Sequence, residues 1–445
     1  MINKTTFQNI IIGFGKGGKT LAAFLAKQGE SVALIERSPA MYGGTCINVA
    51  CIPTKSLITQ AERGIPYQTA HRNKDQLTAA LRGKNYDKLA GLQQVSIIDG
   101  EASFVSAREI RVKNADGERI LTGERIFINT GTVPFMPPIP GIDGAGVYNS
   151  TTFMELENLP ESVVIVGGGF IGLEFASMLL DFGSTVTLLD RATTFLARED
   201  RDIAEAIRQS LVSRGLSIVP GAEVAEFESQ PNGNVLIRYT ADDAEQNCSA
   251  KAVLVATGRS PQTSQLNLQA AGIDCDARGF ITVNEQLQTT APNVWAIGDI
   301  HGGPQFTYIS LDDFRIIKNQ LSGGPYNSLA KRSPFATAVF LSPPYARVGL
   351  NETEAREKGI AYTLHSLPAA AIPKAAVLQQ KEGLLKALVD PSSGKILGCM
   401  LFCAESHELI NLVKLAMDAG LPGSMLRDAI YTHPTMAESL NDLFA

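Results

Sequence analysis

Two stretches of the chain repeat the same order of apolar and polar positions. Each begins with a short apolar run, Ile10–Ile12 or Val163–Val166, followed by a glycine-rich turn, a helical pattern and a second apolar run. The second runs end in an acid, Glu36 and Asp190, each 23 positions after the first glycine of its turn. A duplicated strand–helix–strand unit of this kind predicts two nucleotide-binding domains with parallel sheets.

The rest of the pattern adds a third domain. A stretch rich in Gly, Pro, Ser and Lys at 321–334 indicates a boundary. The segments beyond it predict strands and then a helix, an order typical of an α+β domain; the strands are Ala336–Leu341, Gly383–Val389 and Ile396–Phe402, and the helix is Glu405–Ala419. The predicted fold class is therefore α/β, with two Rossmann-like domains plus a C-terminal α+β domain.

The first glycine turn has the G-x-G-x-x-G spacing of a dinucleotide site. Gly13 permits the tight turn, Gly15 lets a pyrophosphate approach the backbone, and Gly18 lets helix and strand pack closely. Glu36 then follows at the distance from which a carboxylate accepts hydrogen bonds from a ribose. The alternative is a tight turn that binds nothing.

The second glycine turn repeats this spacing at Gly167, Gly169 and Gly172. Asp190 predicts a preference for NADH, because its carboxylate accepts from the ribose 2′-hydroxyl and repels the 2′-phosphate of NADPH. Arg191 directly follows and weakens that preference, so NADPH stays an alternative. The other interpretation is that Asp190 only ends a strand.

Composition narrows the class of protein. The 445 residues are 44% apolar and 19% charged, and the net charge is −6 with no basic block, which argues against a nucleic-acid partner. The sequence predicts no membrane span and no cleaved signal segment, so we expect a cytoplasmic location. Six cysteines are too sparse for a secreted disulfide scaffold.

Cys46 and Cys51 carry the central chemistry. In a regular helix five residues rise about 7.5 Å, whereas a disulfide needs Cα atoms about 4.4–6.8 Å apart. The segment is therefore predicted to bend if the bond forms. Pro53 suits the first turn of a helix, and Lys55 shares a helix face with Cys51, where its charge favours a thiolate. The alternative is a pair of small buried side chains.

The segment Gly43–Lys55, with its two cysteines, resembles the redox motif of the class I pyridine nucleotide–disulfide oxidoreductases. That family includes glutathione reductase, dihydrolipoamide dehydrogenase and mercuric reductase. Four further segments resemble its second FAD motif, the end of its NAD domain, the opening of its dimerisation domain and its C-terminal His–Glu motif; they are Gly298–Asp299, Ala256–Arg259, Ser342–Glu352 and His433–Glu438.

The resemblance implies roles. Cys51 would be the thiolate in contact with the flavin, Cys46 the interchange thiol that attacks the acceptor, and Lys55 and Glu174 a pair beside the flavin. His433, oriented by Glu438, would be the acid/base that reaches the active site of the other subunit in a homodimer.

The resemblance also implies the cofactors, FAD and a nicotinamide nucleotide, and the domain limits. Residues 1–148 and 262–332 would form the FAD-binding and central part, 149–261 the NAD(P)-binding domain and 333–445 the dimerisation domain. Further cofactor-binding residues are Gly44, Thr45, Thr130, Gly131, Gly258, Gly298, Asp299, Phe306 and Tyr308.

Departures from the family pattern suggest a branch. Gln305–Tyr308 stands where glutathione and lipoamide enzymes carry Ala-His, and resembles the metal-ion reductases. The vicinal cysteines and the N-terminal Cys-x-x-Cys module of mercuric reductase are missing. Overall the chain resembles a branch associated with reactive-chlorine stress defence and Cu(II) reduction. Cys399, Cys403 and His407 are a candidate ligand set, but a predicted core strand makes the two cysteines packing residues, so no metal site is predicted.

Three functions compete. The first is a dithiol-dependent reductase of a metal ion or small oxidant, and the second a reductase of low-molecular-weight disulfides. The third is a non-catalytic assembly subunit that keeps a flavin, which leaves Cys46, Cys51 and His433 without a purpose. The acceptor is what the sequence leaves open.

Overall fold

The computed structural model describes residues 4–445, which divide into two compact units. Each unit is formed by three separate segments of the chain. Within residues 4–445 the first unit covers 4–56, 69–135 and 258–332, and the second covers 57–68, 136–257 and 333–445.

Thirteen α-helices occur in the described residues. In chain order, α1 to α13 are Lys16–Lys27, Thr45–Asn48, Cys51–Glu62, Tyr67–Ala90, Ser150–Phe153, Phe170–Phe182, Arg201–Ser213, Thr307–Ser322, Glu352–Glu357, Pro373–Val377, Ser406–Asp418, Gly423–Arg427 and Ser439–Leu443.

The same part of the chain forms 22 strands. In chain order, β1 to β22 are Lys4–Ile12, Val32–Glu36, Val95–Asp99, Glu101–Ser106, Glu109–Asn114, Gly117–Ile128, Thr132–Pro134, Val147–Asn149, Ser162–Val166, Thr185–Asp190, Ser217–Pro220, Glu223–Ser229, Val235–Ala241, Ala244–Ala250, Ala252–Val255, Arg259–Pro261, Val294–Ala296, Thr337–Val339, Tyr345–Gly349, Thr363–Pro368, Leu384–Val389 and Ile396–Phe402.

The first unit is built on a sheet of order β3-β2-β1-β6-β5-β4, with β17 also paired to β6. Strands β1, β2, β3, β6 and β17 run parallel, and β4, β5 and β6 extend the sheet with antiparallel pairs. Residues 10–12 of β1 are buried one after another, as expected for a parallel strand that is covered on both faces. The apolar run read from the sequence thus forms the centre of the sheet.

The second unit contains three sheets. A parallel sheet has the order β11-β10-β9-β15-β8, a small antiparallel sheet joins β12, β13 and β14, and an antiparallel sheet has the order β18-β19-β22-β21-β20. Helix α11 packs on the last sheet and buries Leu409, Ile410 and Val413 there.

The predicted fold class is confirmed: two glycine-turn units with parallel sheets are followed by an α+β region. The three strands and the helix predicted beyond residue 334 are present as β18, β21, β22 and α11, with ends that differ by at most two residues. The four domain limits stay a prediction. Among residues 4–445, no helix has both the length and the apolar character needed to cross a membrane.

Candidate active site

The first glycine turn, between β1 and α1, leaves no room for side chains. Gly13 has a φ of +102°, and a Cβ there would lie 2.4 Å from the backbone oxygen of Asn129. At Gly15 a Cβ would lie 2.4 Å from Asn129 Oδ1, and at Gly18 it would lie 2.8 Å from the Gly13 oxygen. The glycines are therefore required by the close packing of the turn on the end of β6.

The start of α1 fits the pyrophosphate of a dinucleotide. Gly15 is the N-cap of α1, and two first-turn N–H groups have side-chain partners: the Gly17 N–H donates to Ser310 Oγ at 3.1 Å and the Gly18 N–H to Asn129 Oδ1 at 2.9 Å. The positive end of the helix lies at the turn. Glu36 is buried at the end of β2, where its carboxylate accepts from the backbone N–H groups of Phe14 at 3.1 Å and Ser38 at 3.3 Å. Burial raises the pKa of Glu36 above its ordinary value. A glycine turn at a helix start with a carboxylate nearby suits the phosphates and ribose of FAD.

Asp299, which follows β17, belongs to a buried hydrogen-bond chain in the same unit. Thr132 Oγ1 donates to Asp299 Oδ2 at 3.1 Å, and the Arg259 Nε donates to Thr132 Oγ1 at 2.7 Å. Burial raises the pKa of Asp299, while Arg259 and Thr132 oppose that rise. The N–H of the neighbouring Gly298 donates to Asp313 Oδ2 at 2.7 Å, which fixes the turn that carries Asp299.

The two predicted ring residues of the cofactor site stack on each other at the start of α8. Phe306 and Tyr308 have ring centroids 5.0 Å apart and planes 9° apart. Thr130 Oγ1, at the end of β6, donates to the Gln262 oxygen at 3.1 Å, and Gly131 beside it has a φ of +68°.

The cysteine pair spans a break between two helices. Helix α2 ends at Asn48 and α3 begins at Cys51, so the two cysteines lie on separate helices; the bend was predicted only for a formed disulfide and stays a prediction. Cys46 shares a hydrogen bond with Cys51, and Thr307 Oγ1 lies 3.7 Å from Cys51 Sγ. This hydrogen bond and burial hold the pKa of Cys46 well above its ordinary value, while Thr307 opposes the rise.

Gly44 brings the cysteine segment against the first glycine turn. It has a φ of +84°, and a Cβ on it would lie 2.7 Å from Gly15 Cα. Thr45 then opens α2, one residue before Cys46. The predicted redox pair and the predicted FAD loop are therefore neighbours within one compact unit.

The second glycine turn, between β9 and α6, is more open. Gly167 has a φ of +112°, and a Cβ at Gly172 would lie 2.1 Å from the Gly167 oxygen. Gly169 has an ordinary φ of −74°, and a Cβ on it would meet no atom of the described chain within 4 Å. Neither backbone strain nor packing requires glycine at 169, which fits a turn that reserves space for a ligand.

Asp190 ends β10 beside this turn and accepts a hydrogen bond from the Ala192 N–H at 3.2 Å. Arg191 points outward with 87% of its side chain exposed. Gly258, which ends the strand segment after β15, has a φ of +124°.

His433 and Glu438 meet in the C-terminal part of the second unit. His433 Nδ1 and Glu438 Oε2 are 2.7 Å apart, and the Thr435 N–H donates to the other carboxylate oxygen at 3.3 Å. The His433 side chain is 69% exposed, so the carboxylate holds one ring nitrogen and leaves the other turned to the surface.

Glu174, on α6, accepts a hydrogen bond from the Phe340 N–H at 3.0 Å. Lys55 lies on α3 in the first unit, whereas Glu174 lies in the second. Their pairing beside the flavin stays a prediction.

Cys399 and Cys403 lie in the core of the third predicted domain and are fully buried. Burial raises the pKa of both thiols, that of Cys403 to about 12. The ring of His407 packs against Phe340 with centroids 5.3 Å apart. Thiols bind metals as thiolates, so this environment favours packing over ligation.

Three carboxylates elsewhere in the second unit come close enough together for a metal ion: Asp200, Asp202 and Glu352. The buried ammonium of Lys386 already lies among them, 2.9 Å from each aspartate and 2.5 Å from the glutamate. The cluster is therefore an internal ion pair network.

Sequence reasoning missed Asn129, Thr307, Arg259 and Lys19. Asn129 receives the Gly18 N–H through Oδ1 at 2.9 Å, although 111 positions separate them. Thr307 lies inside Gln305–Tyr308, the segment that departs from the glutathione and lipoamide enzymes, so the sequence did point to its neighbourhood. For Asn129 the sequence offers none, because its role depends on a contact between distant segments.

Comparison with known proteins gives a consistent picture. Residues 7–313 match the family described as pyridine nucleotide-disulphide oxidoreductase, and residues 335–444 match the dimerisation domain of that family. The chain is 48% identical over 440 residues to the probable pyridine nucleotide-disulfide oxidoreductase RclA of Escherichia coli, covering 99% of both chains. It is 32% identical to the mercuric reductase of Lysinibacillus sphaericus, covering 99% of this chain and 82% of the relative.

Among solved structures, the Cu(II) complex of the HOCl-induced flavoprotein disulfide reductase RclA from Escherichia coli superimposes with a TM-score of 0.95. The sequences are 48% identical, and the match covers 99% of each chain.

Proposed function

Since this chain belongs to the pyridine nucleotide-disulphide oxidoreductase family, we propose that it passes electrons from NADH through FAD and the Cys46–Cys51 pair to a metal ion or small oxidant. The chain is a flavin-dependent oxidoreductase by family. The observation that carries the dithiol route is the placement of the Cys46 segment against the first glycine turn, where Gly44 closely approaches Gly15.

FAD and the nicotinamide would supply the electron pair. The first turn with Glu36 and Asp299 would hold FAD, and the second turn with Asp190 would hold the nicotinamide nucleotide. The residues present fit both groups, because each glycine turn joins a parallel strand to the start of a helix, and the next strand of each unit ends in an acid.

The cysteines would carry the redox step. Reduction of a Cys46–Cys51 disulfide breaks the S–S bond and takes up two electrons and two protons. The dithiol then gives one electron to each of two Cu(II) ions, or both to one oxidant, and the S–S bond forms again with release of two protons. Thr307, in contact with Cys51 Sγ at 3.7 Å, would hold that sulfur in place throughout.

A Cu(II) acceptor and a role in reactive-chlorine stress are the finer part of the proposal. They are supported by the 48% identity to RclA, whose solved structure is described as an HOCl-induced flavoprotein disulfide reductase in complex with Cu(II). Thiolate sulfur is also the ligand type that Cu(I), the product, prefers. The predicted cytoplasmic location stays a prediction.

A homodimer is proposed from the match to the dimerisation domain. Seven large apolar side chains in that region are exposed in the single chain: Leu364, Val377, Leu412, Leu415, Leu421, Met425 and Ile430. His433 would reach the partner's site, which requires the dimer. We expect analytical ultracentrifugation at assay concentration to give twice the chain mass, and a fully active monomer would contradict the proposal.

The test is an acceptor panel with NADH and the purified holoprotein. We expect Cys51→Ser to abolish NADH-driven reduction of Cu(II) and of disulfides, leaving slow oxidation by oxygen. Cys275→Ser, which removes an exposed thiol, is the matched control and should behave like the unchanged protein. Full activity of Cys51→Ser toward the preferred acceptor would show that electrons do not pass through the dithiol.

The variant His433→Ala distinguishes metal-ion reduction from the alternative function, the reduction of low-molecular-weight disulfides. A leaving thiolate needs a proton, and loss of a general acid commonly costs about 10²–10⁴-fold. Metal-ion reduction has no such leaving group. We therefore expect His433→Ala to slow disulfide reduction strongly and Cu(II) reduction much less, with equal losses contradicting the metal-ion preference.

A further inference from the structure

A lysine that the proposed mechanism does not use stands behind the cysteine segment. Lys19, on α1, donates from Nζ to the Gly43 oxygen at 3.1 Å and to Asn85 Oδ1 at 2.7 Å. Gly43 begins the turn that leads into α2 and Cys46, and Asn85 lies on α4. The Lys19 ammonium therefore links α1 to the Gly43–Gly44 turn before α2 and to α4.

A second polar contact holds the other end of α2. Asn48 donates from Nδ2 to the Gly44 oxygen at 2.9 Å and to the Tyr42 oxygen at 3.0 Å. Its Oδ1 accepts from Arg82 Nε, on α4, at 2.8 Å. Cys46 thus sits on a four-residue helix that two cationic side chains fix at both ends.

The turn itself needs such an anchor. Gly43 has a φ of +96° and Gly44 of +84°, a left-handed pair that glycine adopts at the cost of a more flexible chain. The hydrogen bond from Lys19 to the Gly43 oxygen fixes this pair. The position of the Cys46 sulfur therefore depends on a contact outside α2.

The charges around Cys46 come from four elements. Cys51 on α3 disfavours a second thiolate, while Lys19 on α1 favours it and Thr307 on α8 donates toward it. Arg82 on α4 donates to Asn48, the last residue of the helix that carries Cys46. Tyr308, also on α8, has a pKa raised by burial and by the charge of Cys51.

Lys19 carries a charge that depends on pH in the working range. Burial, assisted by Lys16 and Lys88, lowers the pKa of Lys19 to about 8, and the charge of Cys46 opposes this. The ammonium is therefore present at neutral pH and lost as the pH rises through about 8. Because this buried ammonium loses its proton easily, a neighbouring anion stabilises its charged form.

We propose that Lys19 is a positioning residue for Cys46: it fixes the Gly43–Gly44 turn, and its positive charge favours the thiolate with which Cys46 attacks the acceptor. This inference rests on the proposed dithiol function. It adds a residue of α1, outside the cysteine motif, that sets the reactivity of the interchange sulfur.

The experiment follows alkylation of Cys46 by iodoacetamide in the NADH-reduced holoprotein from pH 6 to 9, with the site identified by peptide mass spectrometry. Iodoacetamide reacts with the thiolate, so its rate reports the thiolate fraction. We expect Lys19→Met to slow the reaction about three- to tenfold at pH 7, because a cation beside a thiol favours the thiolate. The difference from the unchanged protein should shrink as the pH rises through about 8, where Lys19 loses its charge.

Three further variants separate charge from anchoring. Lys19→Arg keeps the charge and should restore the rate at pH 7. Lys19→Gln keeps a donor for the Gly43 oxygen without the charge, so it should be slowed at pH 7 like Lys19→Met, and it replaces Lys19→Met if that protein does not accumulate. Lys84→Met removes an exposed lysine next to Asn85 and should match the unchanged protein.

The inference is overturned if Lys19→Met or Lys19→Gln, with normal FAD content, gives the pH profile of the unchanged protein. A lysine with a purely structural role would alter the melting temperature or the flavin content and leave the alkylation rate at pH 7 unchanged. Because alkylation needs no acceptor, its outcome is independent of whether Cys51→Ser abolishes turnover, so failure of the proposed function is recognised separately.

Discussion

The two glycine turns share one backbone plan but differ in what surrounds them. Gly15 and Gly169 occupy the same position before their helices, with φ of −67° and −74°. A Cβ at 15 would lie 2.4 Å from Asn129 Oδ1, whereas a Cβ at 169 would meet no described atom within 4 Å. The first acid, Glu36, is buried, and the second, Asp190, is partly exposed.

The difference teaches how one motif can serve two kinds of binding. A turn that is packed against Asn129 and has a buried acid suits a cofactor that remains bound throughout catalysis. A turn with free space and a partly exposed acid suits a nucleotide that must leave after each turnover. Four substitutions, in order of falling effect, test this contrast.

The largest effect is expected from Gly15→Ala. The new methyl group must displace Asn129, and overpacking of this kind typically costs about 1–3 kcal/mol. We expect a lower melting temperature and a loss of most bound FAD, measured by flavin absorbance per chain. Gly169→Ala is the matched control and should remain yellow and equally stable; equal damage in both would remove the contrast.

The same Gly169→Ala should affect nucleotide binding instead. Its methyl group enters the space that we assign to the pyrophosphate, so we expect the KM for NADH to rise about tenfold, equivalent to about 1.4 kcal/mol. The kcat should change little, because the lost contact stabilises the bound substrate and the transition state equally. An unchanged KM in steady-state kinetics would mean that the space at 169 is not used.

Replacing Asp190 should change nucleotide choice. Asp190→Ala removes the repulsion toward a 2′-phosphate and leaves Arg191 to attract it, so we expect the ratio of kcat/KM for NADH to that for NADPH to fall about tenfold. Asp143→Ala, an exposed acid in the same unit, should leave the ratio unchanged. A protein that already prefers NADPH before substitution would show that Arg191 outweighs Asp190.

The smallest effect concerns pH and Glu36. Because burial raises the pKa of Glu36, the folded FAD-free chain takes up this proton at a higher pH than the unfolded chain. Protonation thus stabilises the empty fold as the pH falls through the raised pKa, but it removes the carboxylate that accepts from the ribose. We expect FAD to dissociate a few-fold faster at pH 5 than at pH 7, on the order of 1 kcal/mol.

In Glu36→Gln that pH dependence should disappear, while the FAD-free protein should be no less stable at pH 7. FAD release can be followed by the gain in flavin fluorescence. A pH dependence that persists in Glu36→Gln would point to another group, with Asp299 the first candidate because burial also raises its pKa.

The sequence alone predicted both glycine turns, although not the difference between them. The spacing of Gly13, Gly15 and Gly18 and of their counterparts follows from local backbone geometry, so a turn and its helix can be recognised from a few neighbouring residues. For the segment between Cys46 and Cys51 the sequence predicted a bend only if the disulfide forms, because five residues of regular helix rise further than the bond can span.

What the sequence did not predict comes from contacts between distant segments. The role of Asn129 depends on β6 lying beside β1, and that of Lys19 on α4 returning to the cysteine turn. The difference between Gly15 and Gly169 is invisible in the motif, since both read as the second glycine. Such contacts are fixed by sheet order, and no local pattern records them.

The order of the sheet in the first unit also bears on how the chain is made. Strand β17, at Val294–Ala296, pairs with β6 at residues 126–128, and the whole of the second glycine-turn segment lies between them in the chain. At synthesis rates of roughly 5–20 residues per second, the first strands wait on the order of 10–30 s for their last partner to emerge. During that interval β6 has an open edge at the position of β17, and the nascent chain needs protection from non-native pairing there.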